Sequence, residues 1–212
     1  MRKDKEAVDW LAYERSLKEE GYRLVGGLDE AGRGPLAGPV FAACVILEDG
    51  AAIDGVNDSK KLSEKKREQL FDVICEKAKA FGIGSASARE IDELNILNAT
   101  FLAMKRAVDQ LAIKPDVLLV DGNQAPRGIA LPVRTLVKGD TLSGSVAAAS
   151  ILAKVSRDRL MRELAKEYPE YRFEKHKGYG TALHRSLLLQ YGPSELHRKT
   201  FLTKLLDKGR EV

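Results

Sequence analysis

The chain reads as one mixed α/β domain, a central sheet covered by helices, followed by a helical C-terminal segment. Three observations predict this. β-type runs succeed one another between Arg23 and Val56; from Ser63 onward, helical and strand-like patterns alternate up to a long Ala-rich helix. The length of 212 residues, with 44% of them hydrophobic, suits one core.

Residues 4–20 carry a helical pattern with Val8, Leu11 and Leu17 on its apolar face, closed by Gly21. Arg23 to Leu28 is read as a strand, Pro39 to Leu47 as a continuous β-type run, and Ala51 to Val56 as a short third strand, together an antiparallel meander. Ser63 to Ala80 is helical, opened by the Ser63 cap with Glu64 in its first turn, and Phe81 to Ala88 is strand or extended. Ile96 to Leu111 is a helix, and Val117 to Val120 a buried strand ending at Asp121-Gly122. Val133 to Val137 makes a further strand, and Leu142 to Glu167 a long helix stopped before Pro169. Residues 181–191 and 200–208 make two more helices. The expected division is an N-terminal helix at 1–21, the α/β domain at 22–170 and a helical segment at 171–212.

Lys and Arg number 35 against 31 Asp and Glu, a net charge of +4, which alone is weak evidence for a nucleic-acid partner. The excess is C-terminal, with 14 Lys/Arg against 8 Asp/Glu from Ile151 to Val212. Cys44 and Cys75 lie in core-like segments without metal-ligand partners at useful spacing, as expected of a reducing compartment. No run approaches the roughly 18 apolar residues of a membrane span, and the N-terminus lacks an apolar signal core. The expectation is a cytoplasmic protein with no membrane partner.

Asp29 and Glu30 close the first strand, and Asp121 closes the strand after the first long crossover, the positions where α/β sheets place their sites. Asp140, just before the long helix, is a fourth candidate at the same end. Gathered carboxylates repel and desolvate one another unless protons or cations neutralise them, and oxygen-only ligands suit Mg²⁺ or Mn²⁺. Two such ions would suit phosphodiester hydrolysis. Taken singly, each acid also has an ordinary reading: Asp121-Gly122 as a turn, Asp140 as a helix cap, Asp29-Glu30 as a solvated loop.

Gly32-Arg-Gly34-Pro-Leu-Ala37 also fits the relaxed dinucleotide fingerprint, with Asp54 about twenty residues on, so a nicotinamide or flavin enzyme is a rival. Against it stand Pro35 and Pro39, the β-type run that follows, and two acids beside the proposed pyrophosphate. The glycines equally suit close approach of backbone to a ribose 2′-OH, with Arg33 pairing phosphate.

Asp29-Glu-Ala-Gly-Arg-Gly34, Asn57-Asp-Ser-Lys60, Val120-Asp-Gly122, Lys138-Gly-Asp140, Ala148-Ala-Ser-Ile-Leu-Ala-Lys154 and His176-Lys-Gly-Tyr179 together resemble bacterial ribonuclease HII, over about residues 22–202. The resemblance implies a ribonuclease H-like fold with a mixed five-stranded sheet, and Asp29, Glu30, Asp121 and Asp140 as catalytic metal ligands for Mg²⁺ or Mn²⁺. It implies cutting of the RNA strand of RNA–DNA hybrids, and of duplex DNA 5′ of an embedded ribonucleotide. In that scheme Gly32, Arg33 and Gly34 read the 2′-OH, and Tyr179 stacks beneath the next deoxyribose. Lys60, Lys154, Arg157, His176 and Lys177 are candidate phosphate-binding or positioning groups. The three histidines, His176, His184 and His197, suit no zinc motif, and the C-terminal residues carry no clamp-binding peptide. A monomer without a sliding-clamp partner is expected. A hybrid-binding protein without catalysis is the remaining alternative.

Overall fold

A computed structural model describes residues 9–49, 52–56 and 62–208, with side chains to residue 203. Helix α1 (Ala12–Glu19) precedes strands β1 (Val25–Ala31) and β2 (Val40–Leu47). Helix α2 (Glu64–Lys77) leads directly into β3 (Ala78–Ala86), then α3 (Ala88–Leu94) and α4 (Ile96–Asp109). Strands β4 (Val117–Asp121) and β5 (Val133–Leu136) precede the long α5 (Gly144–Glu167), and α6 (Phe173–His176), α7 (Ala182–Tyr191) and α8 (Lys199–Lys208) follow.

The strands form one sheet in the order β3-β2-β1-β4-β5. β1 pairs antiparallel with β2 and parallel with β4; β2–β3 is antiparallel and β4–β5 parallel. Side chains alternate across the pleat, so β2 serves two cores at once. Val40, Ala42, Cys44 and Ile46 pack with Phe101 and Met104 of α4, whereas Ala43 and Val45 pack with α2 and α5. The first three turns of α5, Gly144–Ala153, are wholly buried, and their small side chains let the helix lie close over β1 and β2. Gly27 marks the nearest approach: a Cβ built there would stand 2.2 Å from the Ser145 carbonyl carbon.

Three expectations need correction. Residues 52–56 form a turn, not a strand, while Ala51 lies outside the described residues; Ile53 and Val56 are apolar because they plug the α2–α5 side of the core. The third strand of the meander is instead β3, after α2. Helix α3 was not expected, although Ser87 and Glu90 form a capping box. The long helix starts at Gly144 with Ser143 as its cap, and Asp140 sits in the preceding turn of 3₁₀ helix, Gly139–Thr141. Of the N-terminal apolar face, Leu17 is buried and Val8 lies outside the described residues.

The main tie of α1 is polar. The buried Glu14 Oε1 accepts hydrogen bonds from Ser143 Oγ (2.6 Å), Ser145 N (3.0 Å) and Ser145 Oγ (2.6 Å), placing a carboxylate at the N-terminus of α5. Trp10 O accepts the Gly144 N–H beside it (2.6 Å). The N-terminal helix therefore anchors the helix that roofs the sheet.

Candidate active site

Register alone brings two acids together. Leu28 pairs with Val120 across the parallel β1–β4 ladder, so Asp29 and Asp121 are the next residues in line. Leu28 and Val120 face α4, so Asp29 and Asp121 face the α5 side, while Glu30 turns back toward α4. A cleft at this end of the sheet is lined by Asp29, Glu30, Gly32, Arg33, Asp121, Ser150, Lys154 and Tyr179. A second hollow on the α4 side shares Glu30, Arg33 and Asp121 and adds Asn123 and Gln124.

Asp140 comes to this end of the sheet on the turn before α5. It is buried on the turn whose Gly139 N–H donates to Asp121 Oδ1 (2.7 Å), one residue from the hydrogen bond that fixes Asp121.

Asp29 is almost wholly buried. Burial first, and then the charges of Glu30 and Asp121, hold its carboxyl well above the usual carboxylate range. Hydrogen bonds from the Ser150 hydroxyl and the Glu30 N–H (2.7 Å) oppose that rise. Such a cluster is held against its own repulsion by the surrounding fold, and a divalent cation would relieve it. The donors fit a hard cation, being carboxylate oxygens presented from β1 and β4 with a polar hydroxyl beside them. Among the described residues, no three His, Cys, Asp or Glu side chains are already drawn into a finished metal cage.

Arg33 Nη1 donates to Glu30 Oε1 (3.2 Å) and its side chain is half exposed. Lys154 lies one helical turn before Asp158, donates to Asp158 Oδ1 (2.7 Å), and stands 5.6 Å from the Tyr179 ring centroid. Tyr179 is 40% exposed at the cleft, unlike a tyrosine packed into a core. Lys177 Nζ donates to Glu174 O (2.7 Å) on the same short turn. Lys60 lies outside the described residues.

Two of the candidates for phosphate binding or positioning face inward onto backbone. His176 is buried, with Nε2 on Tyr171 O (2.9 Å) and Nδ1 accepting from Gly178 N (3.2 Å), so both ring nitrogens are used to hold the turn before Tyr179. Arg157 is fully buried and donates to the carbonyls of Pro39 (2.9 Å), Lys177 (2.9 Å) and Ala37 (3.1 Å). Its guanidinium faces protein backbone, not a phosphate. The dinucleotide reading also fails on geometry, because the glycine loop leads into β2 and offers a pyrophosphate no helix N-terminus.

Sequence reasoning missed Ser150, whose signal was a hydroxyl inside an otherwise apolar Ala-rich helix. It also missed the association of the three histidines. His184 and His176 stack at 4.2 Å, and His184 Nε2 meets His197 Nε2 at 3.1 Å. Ser194 N donates to His197 Nδ1 (3.0 Å), which leaves the His197 proton on Nε2, directed at His184. The His184 proton must then lie on Nδ1, facing Tyr179 O (3.0 Å). A neutral imidazole chain thus supports the backbone of Tyr179.

A family model described as Ribonuclease HII matches residues 26–204. The chain is 54% identical over 198 residues to Ribonuclease HII of Caldicellulosiruptor saccharolyticus, covering 93% of this chain and 96% of that relative. It is 51% identical over 207 residues to Ribonuclease HII of Clostridioides difficile, covering 97% and 81%. Among solved structures, ribonuclease H2 from Pyrococcus horikoshii aligns with a TM-score of 0.75 at 27% identity, over 90% of this chain and 100% of that one. A Mn²⁺ complex of Bst-RNase HIII shares the fold, with a TM-score of 0.71 at 18% identity over 89% of this chain and 71% of that one.

Proposed function

The chain belongs to the ribonuclease HII family, with its ribonuclease H-like α/β fold, and from that premise we propose how its own residues act as a metal-dependent endoribonuclease on RNA–DNA hybrids. The observation that carries the reading is the meeting of Asp29, Glu30 and Asp121 in one cleft with Gly32, Arg33 and Tyr179. The substrates are the RNA strand of a hybrid and duplex DNA cut 5′ of an embedded ribonucleotide. Hydrolysis breaks the P–O3′ bond and leaves 5′-phosphate and 3′-hydroxyl ends. In the cell this activity serves removal of misincorporated ribonucleotides and of RNA primers.

Asp29, Glu30, Asp121 and Asp140 would hold Mg²⁺ or Mn²⁺. Two such ions, when bound, supply charge to offset the scissile phosphate, a more acidic attacking water and a stabilised leaving oxygen. The chain itself does the rest. Ser150 orients the Asp29 carboxylate through its hydrogen bond. The Gly32-Arg33-Gly34 backbone comes close enough to a ribose to test for its 2′-OH, and the exposed face of Tyr179 stacks beneath the next deoxyribose. Substrate phosphate, arriving at Arg33, competes with Glu30 for the guanidinium, while Lys154 and Lys177 add positive charge along the strand. The segment at 171–212 contributes to nucleic-acid binding through Tyr179.

The test is a duplex with one ribonucleotide, incubated with Mg²⁺ or Mn²⁺ and with EDTA as control. Wild type is expected to cut 5′ of the ribonucleotide in either metal, and Asp121→Asn to leave the duplex intact. An uncut duplex with wild type in both metals overturns the reading.

A further inference from the structure

We propose that Arg198, together with Arg157, is a positioning residue for ribose selection: the two buried guanidiniums hold the glycine loop by its main-chain carbonyls and set its spacing from Tyr179. The inference rests on the ribose-reading role of the loop given above and names what holds that loop in shape.

Both side chains are fully buried. Arg198 donates from Nη2 to Gly32 O (2.6 Å), from Nη1 to Arg33 O (2.8 Å) and from Nε to Gly38 O (2.9 Å). Its own N–H reaches Leu36 O (2.9 Å), and Gly38 N reaches Leu196 O (2.8 Å), so residues 196–198 run alongside the loop. Arg157 holds the far side of the loop at Ala37 O and Pro39 O, and its third bond, to Lys177 O, crosses to the segment that carries Tyr179. Its guanidinium carbon lies 5.6 Å from the Tyr179 ring centroid.

This pair stands in an unfavourable place. Burial and the neighbouring Arg157 charge push Arg198 down to about 9, still protonated at neutral pH. Two cations are kept together out of water, and every one of these bonds ends on a backbone carbonyl. A carbonyl is an adequate partner for a guanidinium only when several converge, and only a planar fork can serve three at fixed angles. What the arrangement determines is the orientation of the peptide planes. In a trans peptide the N–H points opposite to the C=O. The carbonyls of Gly32 and Arg33 are drawn inward onto Arg198, so the N–H groups of Arg33 and Gly34 point away from it. Gly32 completes the packing: it adopts φ +95°, and a Cβ there would fall 2.1 Å from Arg157 Nε.

The experiment compares wild type with Arg198→Lys and Arg198→Met in the full-length enzyme with Mg²⁺. The readouts are KM and kcat for a duplex with one ribonucleotide and Ki for an all-DNA duplex of the same sequence as competitor. Positioning predicts that the Ki/KM preference for ribonucleotide falls by roughly tenfold or more in both variants, the equivalent of one well-aligned hydrogen bond to the 2′-OH, while Ki itself stays near the wild-type value. Arg198→Lys keeps the charge without the fork, so its failure to restore the preference separates geometry from electrostatics. A wild-type Ki/KM ratio in Arg198→Lys, or a proportional loss of KM and Ki, overturns the inference. A wild type that leaves the ribonucleotide duplex uncut overturns the functional reading beneath it.

Discussion

Gly27→Ala is expected to damage both stability and catalysis, because it forces apart the two elements between which the site is built. The added Cβ would meet the Ser145 carbonyl carbon at 2.2 Å, Val146 N at 2.3 Å and Ser145 O at 2.5 Å, whereas real Cβ contacts essentially never fall under 3.0 Å. Main chain must therefore move by about 0.8 Å or more on at least one side. Neither side is free to do so, since β1 is laddered to β2 and β4 and the first turn of α5 is held by Glu14 at Ser143 and Ser145. Overpacking of side chains alone costs about 1–3 kcal/mol, and a backbone clash belongs at the upper end, about 3 kcal/mol. For a chain of this size that lowers Tm by roughly 6–12 °C. Asp29 lies two residues along β1 and Ser150 on α5, so the same displacement misaligns the carboxylate, with a loss of about 100-fold in kcat/KM. Calorimetry and the single-ribonucleotide cleavage assay measure the two effects. Gly34→Ala is the control: nothing lies within 4 Å of its Cβ. Its Tm is expected within about 1 °C of wild type, as for surface substitutions generally. A Gly27→Ala protein that melts and cuts like wild type would refute the close-approach argument.

The neutral histidine chain makes stability acid-sensitive. Burial, with the charge of a neighbouring histidine second, pushes His184 and His197 down to about 4. The unfolded chain takes up protons at these positions below about pH 6.5 and the native state does not, so stability is full above that pH and is lost as pH falls from 6.5 toward 4. About 2–3 kcal/mol is expected to be lost for the pair between pH 7 and pH 5.5, and His184→Gln/His197→Gln is expected to flatten the profile of Tm against pH; a flat wild-type profile contradicts this. Glu14→Ala removes the carboxylate from the N-terminus of α5 and is expected to cost about 2 kcal/mol in urea denaturation. An unchanged midpoint would mean that α1 contributes no anchorage. Asp121→Asn keeps the acceptor for Gly139 N–H but removes a charge that raises Asp29, so in EDTA its Tm is expected to equal or exceed that of wild type. A drop of several degrees would assign Asp121 a structural role.

The sequence by itself determined the α/β class, the order of most elements and three acids of the cleft. These depend on local properties: β2 announces itself by an apolar run, α2 by the Ser63 cap, and Asp29, Glu30 and Asp121 by standing where strands end. It also misled where apolar residues were buried for another reason, as at Ile53 and Val56, which plug the core from a turn. Tertiary structure alone decided that Asp29 stands in register with Asp121, because strand order is set by pairing between segments about ninety residues apart. It alone decided that the turn bearing Asp140 bonds to Asp121, that Ser150 reaches Asp29, and that His176 and Arg157 face inward. In a sequence, arginines and histidines in a basic C-terminal third resemble phosphate ligands. The partners of Arg157 and Arg198 are main-chain carbonyls, and since every residue carries one, no pattern of side chains can mark which of them a fold will bring together.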